Sequence, residues 1–389
     1  YALGNGMIVL ASQYWGQKRL KEIRQLSSIA LRGEILLSFL LFTLVSLFPA
    51  GTLRLFTSQP EFVSEGVKYL RIIRFSYLFF TLTAVLLSTM RVVEQVKIAL
   101  QASLLALVVN CALNALLIYG RFGLPEMGVR GAACATLIAR CVELIIVIWF
   151  LKYRENVLNL NLRKLLHIDT SYVRDYMKVS LPVLINQALW GVAQMVQTGI
   201  LGHLGGDVTA ANAISVQVYQ VLSVVCYGAA SAAGIVVGRT IGEGNEKKLH
   251  PLVTTLQVLF LSIGLCSGLA IFLLRGPILA AFGDTLTENA YRLSRQFMLV
   301  LAITTVGTSY QMACDNGIIR GGGDTAFSAK MNLISMWGII VPFSAMAAFW
   351  WKCPPVAVFF LLKWDQLYKA IPVGIRLHSW KWVKKVTRA

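Results

Sequence analysis

Two asparagines one helical turn apart, Asn110 and Asn114, interrupt an otherwise apolar stretch, and a threonine, Thr136, stands near the start of the next one. Residues at i and i+4 share a helix face, so the two amides point the same way. Amide and hydroxyl oxygens are hard ligands that suit a small cation or a hydrated proton path. The same residues also serve as packing devices. Polar amides bond across helices, and neighbouring Gly and Ala positions let apolar helices approach closely. The residue types alone leave both roles open.

A second set lies further along. Gln187, Trp190 and Gln194, followed by Gln217, Tyr219 and Gln220, combine amides with aromatic rings. Around a cavity they would take flat, cationic amphiphiles through stacking and cation–π contact. Against neighbouring helices and the membrane surface they would instead bond between helices and anchor the interface. Asp315 is an ionisable group inside an apolar run, a functional candidate by default; the alternative is an acid bonded to Asn316 near the interface. Arg140 with Glu143 (i, i+3) and Asp365 with Lys369 (i, i+4) can neutralise each other on a helix face and read as structural pairs.

Other chemistries find little support. The seven cysteines are scattered without a CxxC pair and read as small packing residues, neither a metal site nor a disulfide framework. His167, His203, His250 and His378 show no ligand spacing. Gly242-Glu243-Gly244 and Gly321-Gly322-Gly323-Asp324 lack the strand–loop–helix context and the lysine of a nucleotide loop, and read as turns. No nucleophile pairs with a base, so an enzyme is not expected.

The elements that must hold these residues are long apolar runs at roughly 27–50, 69–90, 97–119, 129–151, 179–204, 210–238, 250–275, 296–319, 326–350 and 354–376, with a shorter one at 1–15. A bilayer core needs about 20 apolar residues of helix, and a chain in hydrocarbon must satisfy its own backbone. The runs are too long and too continuous for alternating strands. With 57% hydrophobic residues, 14% charged and a mean hydropathy of +0.66, the chain reads as all-α and polytopic. The formal charge of +18 does not point to nucleic acid, because Lys and Arg gather in alternate loops. Lys18, Arg19, Lys21 and Arg24 share one; Lys152, Arg154, Arg163, Lys164, Arg174 and Lys178 share another; Lys381, Lys384, Lys385 and Arg388 close the chain. That alternation is the positive-inside pattern. It predicts a cytoplasmic C-terminus and basic contact with anionic lipid heads.

The chain also carries a weak internal repeat. At an offset of about 226 residues, Tyr1 meets Tyr227, Gly16 meets Gly242, Lys21 meets Lys247 and Phe56 meets Phe282; three residues further, Arg91 meets Arg320 and Pro125 meets Pro354. The expected organisation is an incomplete N-terminal lobe over 1–151, a cytoplasmic linker over 152–178 and a C-terminal lobe over 179–389. The lobes would be parallel repeats about a pseudo-two-fold axis along the membrane normal.

One stretch is specific enough to carry a resemblance. Asn110 and Asn114, then Ile118-Tyr119-Gly120, Phe122-Gly123, Pro125-Glu126, Gly128-Val129, Gly131-Ala132-Ala133 and Ala135-Thr136 resemble the fifth and sixth helices of the multidrug and toxic compound extrusion family of cation-coupled antiporters. Leu181-Pro182, Gly202-His203-Leu204-Gly205 and Arg320 through Thr325 fit the same family, and the resemblance extends over all 389 residues. It implies two six-helix lobes, twelve helices in all, of which about ten and a half are present, the first helix and most of the second preceding Tyr1. It implies a cation site that includes Asn110, Asn114 and Thr136, with Na⁺ if the exchange is Na⁺-coupled and otherwise H⁺. A family Glu early in the seventh helix is replaced by neutral Gln187 or by Trp190, and Asp315 lies nearer the cytoplasmic end than the family's acid in the tenth. Gln187, Trp190, Gln194, Gln217, Tyr219 and Asp315 are the expected substrate contacts. The implied activity is export of organic cationic or amphipathic compounds against Na⁺ or H⁺, without a further cofactor. A flippase for lipid-linked sugars and a non-transporting membrane protein are the alternatives. The expected partners are small organic substrates and the lipid bilayer, with no nucleic acid; the expected state is a monomer in the plasma (inner) membrane.

Overall fold

Apolar side chains that recur on every face of a helix leave some of them without a protein partner, and the faces left over show what surrounds the molecule. The structure, a computed structural model, describes residues 2–54, 60–120, 125–158, 171–281 and 286–388. Tyr1, Phe56, Phe122, Gly123, Arg163, Lys164, His167 and Phe282 lie outside the described residues. The elements are α1 (Ala2–Gly16), α2 (Leu20–Leu47), α3 (Pro49–Arg54), α4 (Pro60–Ile73), α5 (Ser76–Val92), α6 (Val96–Leu117), α7 (Val129–Tyr153), α8 (Ser171–Gly202), α9 (Gly206–Gly242), α10 (Glu246–Ala280), α11 (Glu288–Ala313), α12 (Thr325–Leu333), α13 (Val341–Ala345), α14 (Pro355–Lys363), α15 (Asp365–Tyr368) and α16 (Ala370–His378). π-helical turns over Cys314–Ile319, Ile334–Ile340 and Met346–Trp350 extend α11 and join α12 to α13 and beyond. No strand occurs among the described residues.

Among the described residues, eight helical segments are long and apolar enough to cross a membrane, and α4 with α5 makes a ninth as a pair bent by 54°. Leu100, Leu104 and Leu107 on α6, and Leu265, Leu269 and Leu273 on α10, are exposed in rows three or four residues apart. An exposed apolar surface of that extent needs lipid, not water. Two predicted spans differ from the sequence reading. The run at 69–90 is the second part of a longer bent element that starts at Pro60. The run at 354–376 is not one helix but three short ones, α14 to α16. Lys363, Asp365 and Lys369 fall at the breaks, and Trp364 bonds to Leu361 O three residues back rather than four. Helix also encroaches on the predicted linker: α7 runs to Tyr153 and α8 begins at Ser171.

The chain divides into two compact units. The first comprises Tyr1–Ala11 with Lys18–Met177, and the second Ser12–Gln17 with Lys178–Ala389. In the first, α7 packs against α4, α5 and α6. In the second, α11 is the central post, touching α9, α10, α14, α15 and α16. Along the apolar stretch of α11 and its π turn 72% of residues are buried, against 17% for α6. A polar group placed on α11 therefore has to find a partner inside the unit.

Candidate functional site

Within the first unit, Asn110, Asn114 and Thr136 come together. Asn114 Nδ2 donates to Asn110 Oδ1 at 3.1 Å, Asn110 Nδ2 donates to Thr136 Oγ1 at 3.3 Å, and Thr136 Oγ1 donates back to Ala132 O at 3.0 Å. All three are half-buried. The α6–α7 connection sets this up. Met127 N bonds to Leu117 O at 3.0 Å, and Gly131 lies so near that a Cβ there would stand 2.6 Å from the same oxygen. Only a residue without a side chain lets α7 start this close to the end of α6, and Thr136 then lies beside Asn110. Asn114 Oδ1 is buried without a hydrogen-bond partner. A buried acceptor left unpaired costs free energy until a donor or a cation reaches it. Deeper in the same unit, Arg140 pairs with Glu143 at 2.7 Å, and Ser103 Oγ donates to the same carboxylate at 2.9 Å. The i, i+3 pair that the spacing suggested thus forms.

Within the second unit, α8, α9, α11, α12, α14 and α15 line a cavity of about 380 Å³. Its walls follow helical periodicity: Asn186, Gln187, Trp190, Gln194 and Thr198 on α8, Ser215, Val216, Tyr219 and Gln220 on α9, and Leu301, Thr304, Thr308 and Gln311 on α11, with Asp315 on the π turn beyond. Five of the six predicted substrate contacts therefore line one space. Gln217 does not; it is exposed and off the face that carries Ser215, Tyr219 and Gln220. Gln220, named in the sequence within the same set of amides and rings, does line it.

One wall is a continuous polar chain. Arg320 Nε donates to Ser328 Oγ at 2.7 Å, and Ser328 Oγ to Asp315 Oδ2 at 2.7 Å. Asn332 Nδ2 donates to the same oxygen at 3.0 Å, and Asn332 Oδ1 accepts from Lys369 Nζ at 3.0 Å. Lys369 pairs with Asp365 at 2.8 Å, Gln366 Nε2 donates to Asp365 Oδ1 at 3.0 Å, and Gln311 Nε2 donates to Gln366 Oε1 at 2.8 Å. The π turn aims Asp315 into this chain: Arg320 N bonds to Asp315 O five residues back, and such turns widen a helix locally. Asp315 does not bond Asn316, as one sequence reading had it, but Ser328 and Asn332, with Arg320 Nη2 at 3.8 Å and Oδ1 left without a partner. Asp365 and Lys369, read as a self-contained pair, are a link in the wall.

The sequence reading missed Thr304, Thr308 and Gln311 of α11. Their spacing with Asp315, 304–308–311–315, is a polar stripe on a buried helix, and that signal was present in the chain. Lys363 it also missed; its Nζ stands 5.7 Å from the Tyr219 ring centre and 6.0 Å from that of Phe359. Five charged side chains line the cavity, two acids (Asp315, Asp365) and three bases (Arg320, Lys363, Lys369). No group of three or more His, Cys, Asp or Glu that could hold a metal occurs among the described residues. No cysteine among the described residues forms a disulfide.

Known proteins resemble this chain over most of its length. A probable multidrug resistance protein NorM of Xylella fastidiosa is 27% identical over 337 residues, 86% of this chain and 71% of that one. A probable multidrug resistance protein YoeA of Bacillus subtilis is 24% identical over 397 residues, 99% of this chain and 83% of that one. A transporter of the MOP superfamily from Pyrococcus furiosus, whose description speaks of a binding pocket of reverse polarity, superposes with a TM-score of 0.87 at 19% identity, covering 99% of this chain and 85% of that one. The MatE family model matches both halves, residues 1–116 and 182–346, and with its many apolar spans the chain is a multi-pass membrane protein that belongs to the MatE family.

Proposed function

We propose that the protein is a multidrug efflux transporter, a secondary antiporter that moves amphipathic organic compounds out of the cell in exchange for a cation. The observation that carries this reading is the polar and aromatic cavity of about 380 Å³ inside a unit whose outer faces are apolar. A space of that size, lined by a few convergent polar groups and aromatic rings, suits a drug-sized molecule. The names of the NorM and YoeA relatives support the same cargo class. The reading places the protein in the plasma (inner) membrane, as a monomer with its C-terminus in the cytoplasm, where the basic residues after Trp380 meet anionic lipid.

The exchanged cation is assigned to Asn110, Asn114 and Thr136. Amides and hydroxyls do not titrate near neutral pH. Na⁺ is therefore the ion these three can take, and coupling to H⁺ would need a carboxylate that they do not supply. Cation and substrate would each favour one facing state, and exchange follows from their opposed preferences. Movement of lipid-linked sugars is the second reading, favoured by the basic excess of the cavity lining.

The test is efflux of amphipathic dyes from proteoliposomes containing the protein, under a Na⁺ gradient and, separately, a pH gradient. Gradient-driven efflux supports antiport and names the ion. No gradient-driven movement of any dye, in vesicles where the protein is folded and oriented, refutes it.

A further inference from the structure

We infer that the cavity of the second unit holds a site for an anionic group, a carboxylate or phosphate, centred on Lys363; this rests on the transporter reading above. The argument is one of charge. Lys369 is held by Asp365 at 2.8 Å and by Asn332 at 3.0 Å. Arg320 is held by Ser328 at 2.7 Å and faces Asp315 at 3.8 Å. Lys363 has neither arrangement: among the described residues no carboxylate forms an ion pair with it, its ring neighbours are Tyr219 and Phe359, and the acid that acts on it from further away, Asp365, is already held by Lys369. Two acids against three bases leave the lining one positive charge in excess, and Lys363 is the base without an ion pair of its own.

An ammonium in a membrane-embedded cavity is expensive unless something compensates it. Ring faces at 5.7 and 6.0 Å are at the outer limit of cation–π attraction and compensate it only weakly. An anion reaching Nζ forms a charge-assisted hydrogen bond in a site of low dielectric. The Tyr219 ring beside it offers an apolar surface to the rest of the ligand, and Phe359 is fixed by stacking on Phe297 at 4.0 Å. The geometry therefore selects an aromatic or amphipathic anion, or a zwitterion that presents its acid to Lys363. The rings and amides alone had suggested cationic amphiphiles; the lysine between the rings reverses that preference. The exchanged cation then belongs elsewhere, since a cation bound beside an anionic substrate would help it bind rather than displace it.

The experiment uses the purified full chain in detergent with fluorescein as the anionic probe and rhodamine 6G as the cationic one, binding read by polarisation. Fluorescein is expected to bind more tightly than rhodamine 6G. Lys363→Gln is expected to weaken fluorescein about tenfold, the loss of one charge-assisted bond, and to leave rhodamine 6G unchanged or tighter. Lys363→Arg, which keeps the charge, is expected to retain fluorescein binding, and thermal melts confirm that each variant folds. Equal loss of both probes in a folded Lys363→Gln variant, or tighter binding of rhodamine 6G by the parent, overturns the proposal. Sodium 2-naphthoate and a polyprenyl pyrophosphate serve as competitors for fluorescein. Displacement by the first alone marks a soluble organic anion as cargo, displacement by the second marks a lipid-linked one, and displacement by neither overturns the site. Failure of gradient-driven efflux with the Lys363 dependence intact would refute the antiporter reading and leave the anion site standing.

Discussion

Asp324, in the turn between α11 and α12, is the residue whose removal tests the architecture of the second unit most directly. Its carboxylate is almost fully buried and takes Lys384 Nζ on Oδ1 at 2.7 Å; Oδ2 takes Arg376 Nε at 2.9 Å and Arg376 Nη2 as well. Lys384 belongs to a tail that is fastened again by its own N–H to Gly322 O at 2.8 Å and by Gln13 Nε2 to Lys384 O at 2.9 Å. Breaking a fully buried pair costs about 3–5 kcal/mol, whereas an exposed pair contributes about 0–1 kcal/mol. Here the acid is buried, but the side chains of Arg376 and Lys384 are 22% and 47% exposed, so both cations can rehydrate when it is lost. Asp324→Asn is therefore expected to cost about 1–3 kcal/mol, between those limits. Arg376→Gln should cost more than Lys384→Gln, because Arg376 gives two bonds and is less exposed. Thermal unfolding in detergent reads the costs, and trypsin cleavage at Lys381 and Lys384 reads release of the tail. A parent-like melt for Asp324→Asn, or a greater cost for Lys384→Gln than for Arg376→Gln, refutes the reasoning. The same cluster sets a pH dependence. Burial alone would raise the Asp324 pKa, but the bonds from Lys384 and Arg376 outweigh it and hold the carboxyl below its usual value. The folded state thus binds this proton less readily than the unfolded one. Its contribution is complete above about pH 3.9, the ordinary aspartate value, and is lost as pH falls through the lower folded value. Tail protection should be flat from neutral to mildly acidic pH and fail only in stronger acid.

Other perturbations separate site from scaffold. Gly131→Ala places a Cβ 2.6 Å from Leu117 O and forces α7 away from α6; a loss of about 1–3 kcal/mol in melts is expected, with weakened Na⁺ dependence of efflux as the Asn110–Thr136 contact opens. Asn114→Asp adds a carboxylate to the oxygen cluster, which tunes cation affinity and is costly in a membrane without a counter-ion. Its melting temperature should fall in choline chloride and recover in NaCl, and a salt-independent melt in a folded variant would count against Asn114 as a ligand. Gln217→Ala is expected to leave probe binding within about twofold, since residues off a helix face do not meet its neighbours, whereas Tyr219→Ala should weaken every probe that uses the cavity.

How much of this was legible in the chain follows from what each signal depends on. Spanning helices announce themselves by length and apolarity, which are local, so nine of the ten predicted spans appear as continuous or singly bent helices. The tenth broke because Lys363, Asp365 and Lys369 sit within it, and a hydropathy reading averages three charges into their apolar neighbours. Asn110, Asn114 and Thr136 could be joined from sequence because two of them share a helix face and the third follows a short glycine-bearing connection. The cavity of the second unit could be joined only in part, through Gln187, Trp190, Gln194, Tyr219 and Asp315. Its walls come from α8, α9, α11, α12, α14 and α15, and no local rule states which faces of those helices meet. The missed residues show the limit most clearly. Gln311 and Gln366 bond at 2.8 Å across 55 positions, and Lys369 answers Asn332 across 37. Asp365 and Lys369 looked complete as an i, i+4 pair, and that apparent completeness hid the third base: once Lys369 is matched to Asp365 and Arg320 faces Asp315, the charge left over is Lys363. Sequence reports which charges lie in the membrane, whereas which one is left without an ion pair depends on the partners that folding assigns, and under the anion-site proposal that charge sets the sign of the ligand.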